Sequence, residues 1–496
     1  MSSPSTSFED ARRAAQQTLQ QLCPSLDSTQ RARLAREHRA FVRARKVPDA
    51  DTLLHLILFY THASRSLRMT TWFALVAFQI TLCEQSLRER FAQCANWLRA
   101  LVREQLAAFA SLDSPLRTHL QIVDSSVLCR PGAQGTEWRV HVVFEPGQLA
   151  PTSVEVTDAH GAEGLDRGEI ATDSLVLGDR NYGRYREVRT ARERGVHLLA
   201  RTHLQTQPMH DAQGHARTAH HWTDLADAGQ FDHAVQLHHR GGPALPARLL
   251  MRPLPPEMAA RARQKVHQKA KKKGRVPDAT ALHLAGYLCL LTTLSMEKLR
   301  VDEACALYRI RWQVECFFKR AKSLGKLDQI EGTPALVETQ IWAHLLTLCA
   351  HETQRPVEAL EKLQTSESTH RPASPWRWLK VHLITLLAPL MWLAHLGARE
   401  VSVRAQDERL RERARRRGRQ PLWEMSRWWR GAQELGNGLP EALSWRLWGQ
   451  GVRSLFCRGS TAGPLQQGPQ RDRRQGIDPF PTEAESPARP RLFVLS

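Results

Sequence analysis

The sequence predicts an α/β protein whose mixed sheet is flanked by helices, interrupted by a β-rich block, and bracketed by helical N- and C-terminal regions. Three observations predict it. Up to about residue 110 apolar side chains recur at three- and four-residue spacing; after Ser114-Pro115 the period shortens to that of strands; from Ser295 the helical spacing returns. At 496 residues the chain has room for several domains with sizeable cores, and its composition excludes a wholly disordered protein.

Residues 1–112 read as a basic helical region suited to DNA binding. FEDARRAAQQTLQQL, LLHLILFYTHASRSLR and TTWFALVAFQITLCEQSLRERFAQCANWL set arginines between apolar stripes. Residues 113–194 carry the short runs LQIVDSS, WRVHVVFEP and TSVEVTD, then a short helix near 165–173, then LVLGD. Three strands, a helix and a further strand fit an α/β layer with a partly parallel sheet, in which Asp124 and Asp179 read as the last residues of their strands. Residues 195–294 are irregular and β-rich (VHLLARTH, FDHAVQLHHR, ARLLMRPL, LAGYLCLLTT), broken by the lysine-rich helix MAARARQKVHQKAKKKGR. Such a block has the character of an insertion between two halves of a fold. Helix resumes over 295–355, with Ser295 as a capped start, and continues through 356–458, including RAQDERLRERARRRGR. Residues 459–496, rich in Pro, Gly, Gln and Arg, read as a disordered tail. The apolar run Val381 to Ala398 contains two histidines and Pro389, which favours a buried core helix over a membrane span.

Lysine and arginine number 70 against 50 acids, a formal charge of +20. An excess of that size favours a polyanionic partner, of which nucleic acid is the commonest; a basic surface that only aids solubility is the alternative. The runs KAKKKGR and RERARRRGR are either phosphate contacts or solvated faces. Nine scattered cysteines without CxxC spacing indicate reduced thiols, and the opening MSSPSTSFEDARRAAQQ has no signal-peptide core, so a cytoplasmic protein, nucleoid-associated when bound to DNA, is expected. The histidines of 215–221 and 233–239 lack the partners and ordered spacing of a metal site.

Two acids draw attention by position. Asp179 leaves the apolar run Leu175-Val-Leu in GDRNYG, and Asp124 leaves LQIV in the same way. Either is an ordinary turn-former when taken alone. Downstream, LYRIRWQVECFFKRAKS (307–323) reads as one continuous helix. At about 100° per residue, Tyr308, Arg311, Glu315 and Lys322 fall within about 60° of arc, beside an apolar stripe of Leu307, Ile310, Val314, Phe317, Phe318 and Ala321. An exposed Arg311–Glu315 pair is the plain reading of that edge. Its company points further. Three converging carboxylates raise one another's pKa, and a pair of divalent cations relieves that conflict. Hard oxygen donors suit two Mg²⁺ or Mn²⁺ ions, with Arg311 and Lys322 left to hold phosphates. Asp124, Asp179 and Glu315 thus read as metal-binding catalytic residues for phosphodiester chemistry on DNA.

Tyr308, Arg311, Glu315 and Lys322 match the pattern Y-x2-R-x3-E-x6-K, and this resembles the signature of bacterial insertion-sequence transposases of the DDE class, the YREK or IS-four family. The DSS at Asp124 and GDRNYG at Asp179 look like that family's first and second acid motifs. The resemblance, which covers about 120–330, implies a ribonuclease-H-like core interrupted by a β-rich insertion between Asp179 and Glu315. It implies that Tyr308, Arg311 and Lys322 grip phosphates near the cleaved end. It also implies a transposase that binds the element's terminal inverted repeats, cleaves, and joins the ends to target DNA as a homodimer in a synaptic complex. A nuclease or resolvase without strand transfer, or an inactive DNA-binding derivative, is the alternative. Two positions depart from the family. Asn181 stands where glycine is usual, and asparagine tolerates positive φ. Tyr287 stands where cut-and-paste members carry a base-stacking tryptophan; it is a stacking candidate or, equally, a strand residue buried in the sheet.

Overall fold

The computed structural model describes residues 8–111, 119–239, 241–354 and 375–401. The basic run at 411–419 and the tail expected over 459–496 lie outside these residues.

Five strands form the first half of the sheet: β1 (Leu120–Leu128), β2 (Trp138–Glu145), β3 (Ala150–Asp158), β4 (Leu175–Gly183) and β5 (His197–Thr202). β2 pairs antiparallel with both β1 and β3, while β1–β4 and β4–β5 are parallel. The resulting order 3-2-1-4-5, with β2 reversed against β1, is that of a ribonuclease-H-like core. β5 therefore belongs to this core by its pairing, although it falls inside 195–294.

The rest of that segment supplies β6 (Met209–His210), β7 (Ala216–Arg217), β8 (Asp232–Leu237), β9 (Leu245–Pro253) and β10 (Tyr287–Thr292). β10 pairs antiparallel with β5, and all ten strands form one continuous sheet in the order 3-2-1-4-5-10-9-8-6-7. The insertion extends the core sheet rather than hanging from it.

Each strand offers alternate residues to the two faces. On one face Val123, Val143, Val176, Leu198 and Ala200 pack with Val188 and Ala191 of α7 (Tyr185–Glu193), and this core runs on through Trp222, Leu249 and Leu291. On the other, Ile122, Leu177 and Phe144 are fully or almost fully buried. Phe144 meets Phe317 at 6.1 Å, which seats α12 (Trp312–Ser323) over β1 and β2.

The helix expected near 165–173 is absent; 159–174 is a loop. Gly161, Gly164 and Gly168 lower its helical tendency, and Gly168 takes φ +73°, which ends any right-handed run. The helix expected from Ser295 begins instead at α11 (Val301–Ile310), where Glu303 folds back so that Oε2 accepts the Arg300 N–H at 2.9 Å.

The N-terminal region folds as α1 (Phe8–Leu22), α2 (Ser28–Glu37), α3 (Ala50–Leu58), α4 (Leu67–Phe78), α5 (Glu84–Phe91) and α6 (Ala95–Ser111). A π turn over Phe59–Ser64 breaks the second predicted helix, and the third divides into α4, α5 and the start of α6. Helix α13 (Pro334–Thr353) is buried along nearly its whole length, as a helix apolar on all sides must be. It lies against α6, and Thr339 Oγ1 donates to the Phe91 carbonyl at 2.6 Å. Helix α14 (Pro375–Glu400) includes the one described helix long and apolar enough to cross a membrane; here it packs on α1 and α4 with Leu379, Leu390, Leu393 and Ala394 buried.

Candidate active site

Asp124 and Asp179 do not end their strands as expected: each is the fifth residue of a nine-residue strand. What ends is the pairing between them. The parallel ladder of β1 with β4 stops at Ile122 opposite Leu177, and each aspartate sits two residues further along. The two acids therefore share a register and a face on neighbouring strands, the face that α12 covers. Beyond Ile122 β1 stays with β2, Asp124 standing opposite Val142, and β4 becomes irregular between Gly178 and Gly183. The crevice this leaves lies at the carboxyl ends of parallel strands where the sheet order changes direction, the usual place for a site in such folds.

Local hydrogen bonds fix both side chains. Asp124 Oδ1 accepts the Ser125 N–H at 2.8 Å, and Asp179 Oδ1 accepts the Asn181 N–H at 2.8 Å. Asn181 is not among the residues with positive φ, so its tolerance of that conformation is not what the turn uses. Its side chain instead donates to Glu163 and accepts from Arg184. Gly183 answers a different need: a Cβ there would stand 1.8 Å from the Arg201 carbonyl of β5.

The helix read as continuous over 307–323 is two, α11 and α12, joined at Arg311. There the Arg311 N–H bonds the Tyr308 carbonyl and the Val314 N–H bonds the Arg311 carbonyl, tightening the turn to three-residue bonds. Val314, Phe317, Phe318 and Ala321 are buried as expected, whereas Leu307 and Ile310, on the far side of the joint, are half-buried.

Arg311 is the link between helix and sheet. One guanidinium nitrogen donates to Asp124 Oδ2 at 3.2 Å, another to Glu315 Oε1, and the guanidinium lies 5.8 Å from the Tyr308 ring centre. The Tyr308 hydroxyl is buried without a well-formed hydrogen bond. Lys322, further along α12, donates to the Val127 carbonyl of β1 at 2.9 Å and does not join the acids. Tyr287 is buried at the start of β10, in the core on the α7 face, and its hydroxyl donates to Asp227 at 2.8 Å. It lines a cavity of about 100 Å³ with Arg180, Arg201 and His203.

The electrostatics reflect buried acids first and crowded ones second. Burial pushes Asp124 up to about 7; Arg311 opposes the rise, and Asp179 and Glu163 add to it. Asp179 is raised by burial and by Glu163. Burial works against the Arg311 charge, but Tyr308, Glu315 and Asp124 more than offset it and hold its pKa above the ordinary value. Among the described residues no group of three or more His, Cys, Asp and Glu is already drawn together as a metal cage. Arg311 stands between two of the acids as their counter-charge. The donors themselves, carboxylate oxygens without thiolate or imidazole, fit hard divalent ions.

A family model described as a transposase DDE domain matches residues 117–350, which take in β1 through most of α13. InsL, named as a transposase of insertion sequence element IS186A in Escherichia coli (strain K12), is 32% identical over 320 residues, covering 63% of this chain and 86% of InsL. The transposase of insertion sequence element IS421 from Escherichia coli is also 32% identical, over 321 residues and 86% of its length. This chain belongs to the DDE transposases of bacterial insertion sequences. It is a DNA-cleaving and strand-transferring enzyme. A solved piggyBac transposase synaptic complex with hairpin DNA aligns over 76% of this chain and 80% of its own, at a TM-score of 0.36 and 7% identity.

Two features of the transposase escaped sequence reasoning. Glu163 lies in a glycine-rich loop with no periodicity to mark it, yet it contacts the neighbours of both aspartates. Arg320, which nothing in the sequence singles out, is buried in an ion pair with Glu352 of α13, with nitrogen–oxygen distances of 3.0 and 3.1 Å.

Proposed function

We propose that Asp124, Asp179 and Glu315 are the catalytic carboxylates and hold two Mg²⁺ or Mn²⁺ ions. The observation that supports this most directly is the shared register of Asp124 and Asp179 on parallel strands, facing the helix that carries Glu315. When bound, such a pair of ions activates a water or 3′-hydroxyl and stabilises the leaving oxygen. The protein's part is to orient. Arg311, packed beside Tyr308, exchanges its carboxylate partners for a backbone phosphate near the cleaved end, and Lys322 holds a phosphate along the rim. Tyr287 takes part as a base-stacking residue only through the cavity it lines.

The remaining assignments concern DNA. Helices of region 1–112 recognise the terminal inverted repeats, and a homodimer holds two ends in a synaptic complex before insertion into target DNA. Helix α9 (Pro256–Lys272) contributes phosphate contacts: Met258, Ala259, Ala262, Val266 and Ala270 form its packed side, and Arg261, Lys265, Lys269 and Lys272 are exposed. The protein works in the cytoplasm, at the nucleoid when bound.

The decisive experiment incubates the full chain with labelled DNA carrying its element ends, in Mg²⁺ and in EDTA, beside Asp179→Ala and Glu315→Gln. Cleavage and end joining should require the metal, and each variant should be slowed by orders of magnitude. Wild-type cleavage by either variant overturns the assignment.

A further inference from the structure

Glu163 is placed unlike a surface acid. Its side chain is 16% exposed, and every contact it makes is close. Oε1 accepts from the Ser125 hydroxyl at 2.6 Å and from Arg139 Nη1 at 2.5 Å; Oε2 accepts from Asn181 Nδ2 at 2.6 Å. Ser125 directly follows Asp124, and Asn181 supplies the backbone N–H that fixes Asp179. One carboxylate thus ties together the two chain segments that carry the aspartates. It does so beyond Ile122 and Leu177, where the ladder between β1 and β4 has stopped and no backbone bond sets their separation.

The support beneath Glu163 is firm. Leu165, two residues on, is fully buried and donates its N–H to Glu187 of α7 at 2.7 Å, and Arg194 donates to the Leu165 and Gly168 carbonyls at 2.5 and 3.1 Å. Arg139 of β2 supplies the counter-charge. A loop clamped to α7 therefore presents a carboxylate to the gap between two diverging strands.

We propose that Glu163 is a positioning residue: a strut that sets the spacing of Asp124 and Asp179 and so tunes their affinity for divalent ions. The inference rests on the reading of those aspartates as metal ligands. Outer partners that orient ligands typically govern metal affinity or activity by about 10–100-fold.

The test is Mn²⁺ binding by the full chain, read from the electron paramagnetic resonance of free Mn²⁺, together with the Mn²⁺ concentration that half-activates end cleavage. Glu163→Ala should raise both the dissociation constant and that concentration by about 10–100-fold, leave DNA affinity in EDTA unchanged, and be partly rescued in Glu163→Gln, which keeps hydrogen-bonding atoms at both ends. Unchanged Mn²⁺ affinity in a folded Glu163→Ala variant, with Asp179→Ala still abolishing binding, overturns the strut alone. Unchanged affinity in Asp179→Ala overturns the underlying ligand assignment and the strut with it. If Glu163→Ala does not fold, the double variant Ser125→Ala/Asn181→Ala, which removes both ends of the strut and keeps the Glu163–Arg139 pair, is judged by the same criterion.

Discussion

Asp124 carries a charge that its surroundings resist. With its pKa raised from 3.8 to about 7, the folded chain favours the protonated acid. The stability this contributes is fully present below about pH 4 and is lost as the pH rises through about 7. Without metal, the melting temperature of the wild type should therefore fall relative to Asp124→Asn between those limits, and a constant gap across them would contradict the assignment. At pH 7, Mg²⁺ at about a hundredfold above its dissociation constant should add about 2.7 kcal/mol to the wild type and much less to Asp124→Asn. Arg311 makes a second prediction. A lysine keeps the charge but cannot hold a backbone phosphate with two parallel hydrogen bonds as the guanidinium can. Because a hydrogen bond to a charged group contributes about 1.5–3 kcal/mol, Arg311→Lys should slow end cleavage roughly ten- to hundredfold in a labelled-end assay. The two aspartates were legible because each leaves an apolar run, and Arg311 because of its helical spacing to Tyr308 and Glu315, although the aspartates stand mid-strand rather than at strand ends. Glu163 was not, since a loop acid gains meaning only from what folds against it.

Among the elements, α12 and α13 are joined by the buried Arg320–Glu352 pair. Removing one partner of such a pair leaves an uncompensated charge and costs about 3–5 kcal/mol, whereas replacing both by apolar residues is far milder. Arg320→Ala should lower the urea midpoint accordingly with an unchanged slope, and Arg320→Met/Glu352→Leu should recover most of the loss. The exposed cations of α9 are tested by salt titration of DNA binding. Deleting one cation that neutralises a phosphate should reduce the slope of log affinity against log salt by about 0.9, so a Lys265→Ala/Lys269→Ala variant should differ measurably, and an unchanged slope would remove α9 from the DNA path. Helix α9 could be read in advance from its lysines and apolar stripe. The joint at Arg311 could not, because the apolar period runs unbroken across it and only the pull of Asp124 and Glu315 marks the spot.

For the whole molecule, the continuous sheet has a thermodynamic signature. β5 and β10 share a ladder and a core, so the strands of the insertion and of the ribonuclease-H-like half should unfold together. Far-ultraviolet circular dichroism and tryptophan fluorescence should give coincident urea transitions; two separated transitions would show that the insertion is an independent body. Composition and period conveyed the α/β class and the presence of a β-rich block. They held no information on which strand the block would join, because Leu290 and Leu291 could pair with any apolar edge.

The break in pairing after Ile122 and Leu177 also has a consequence in time. β1 and β4 can meet as soon as the first half of the sheet collapses, whereas Glu315 arrives only after the long excursion through β10 has closed, at a greater entropic cost. On refolding, the sheet should regain its circular dichroism before the enzyme regains cleavage. The last step of maturation would then be the docking of one helix over two aspartates that have been waiting for it.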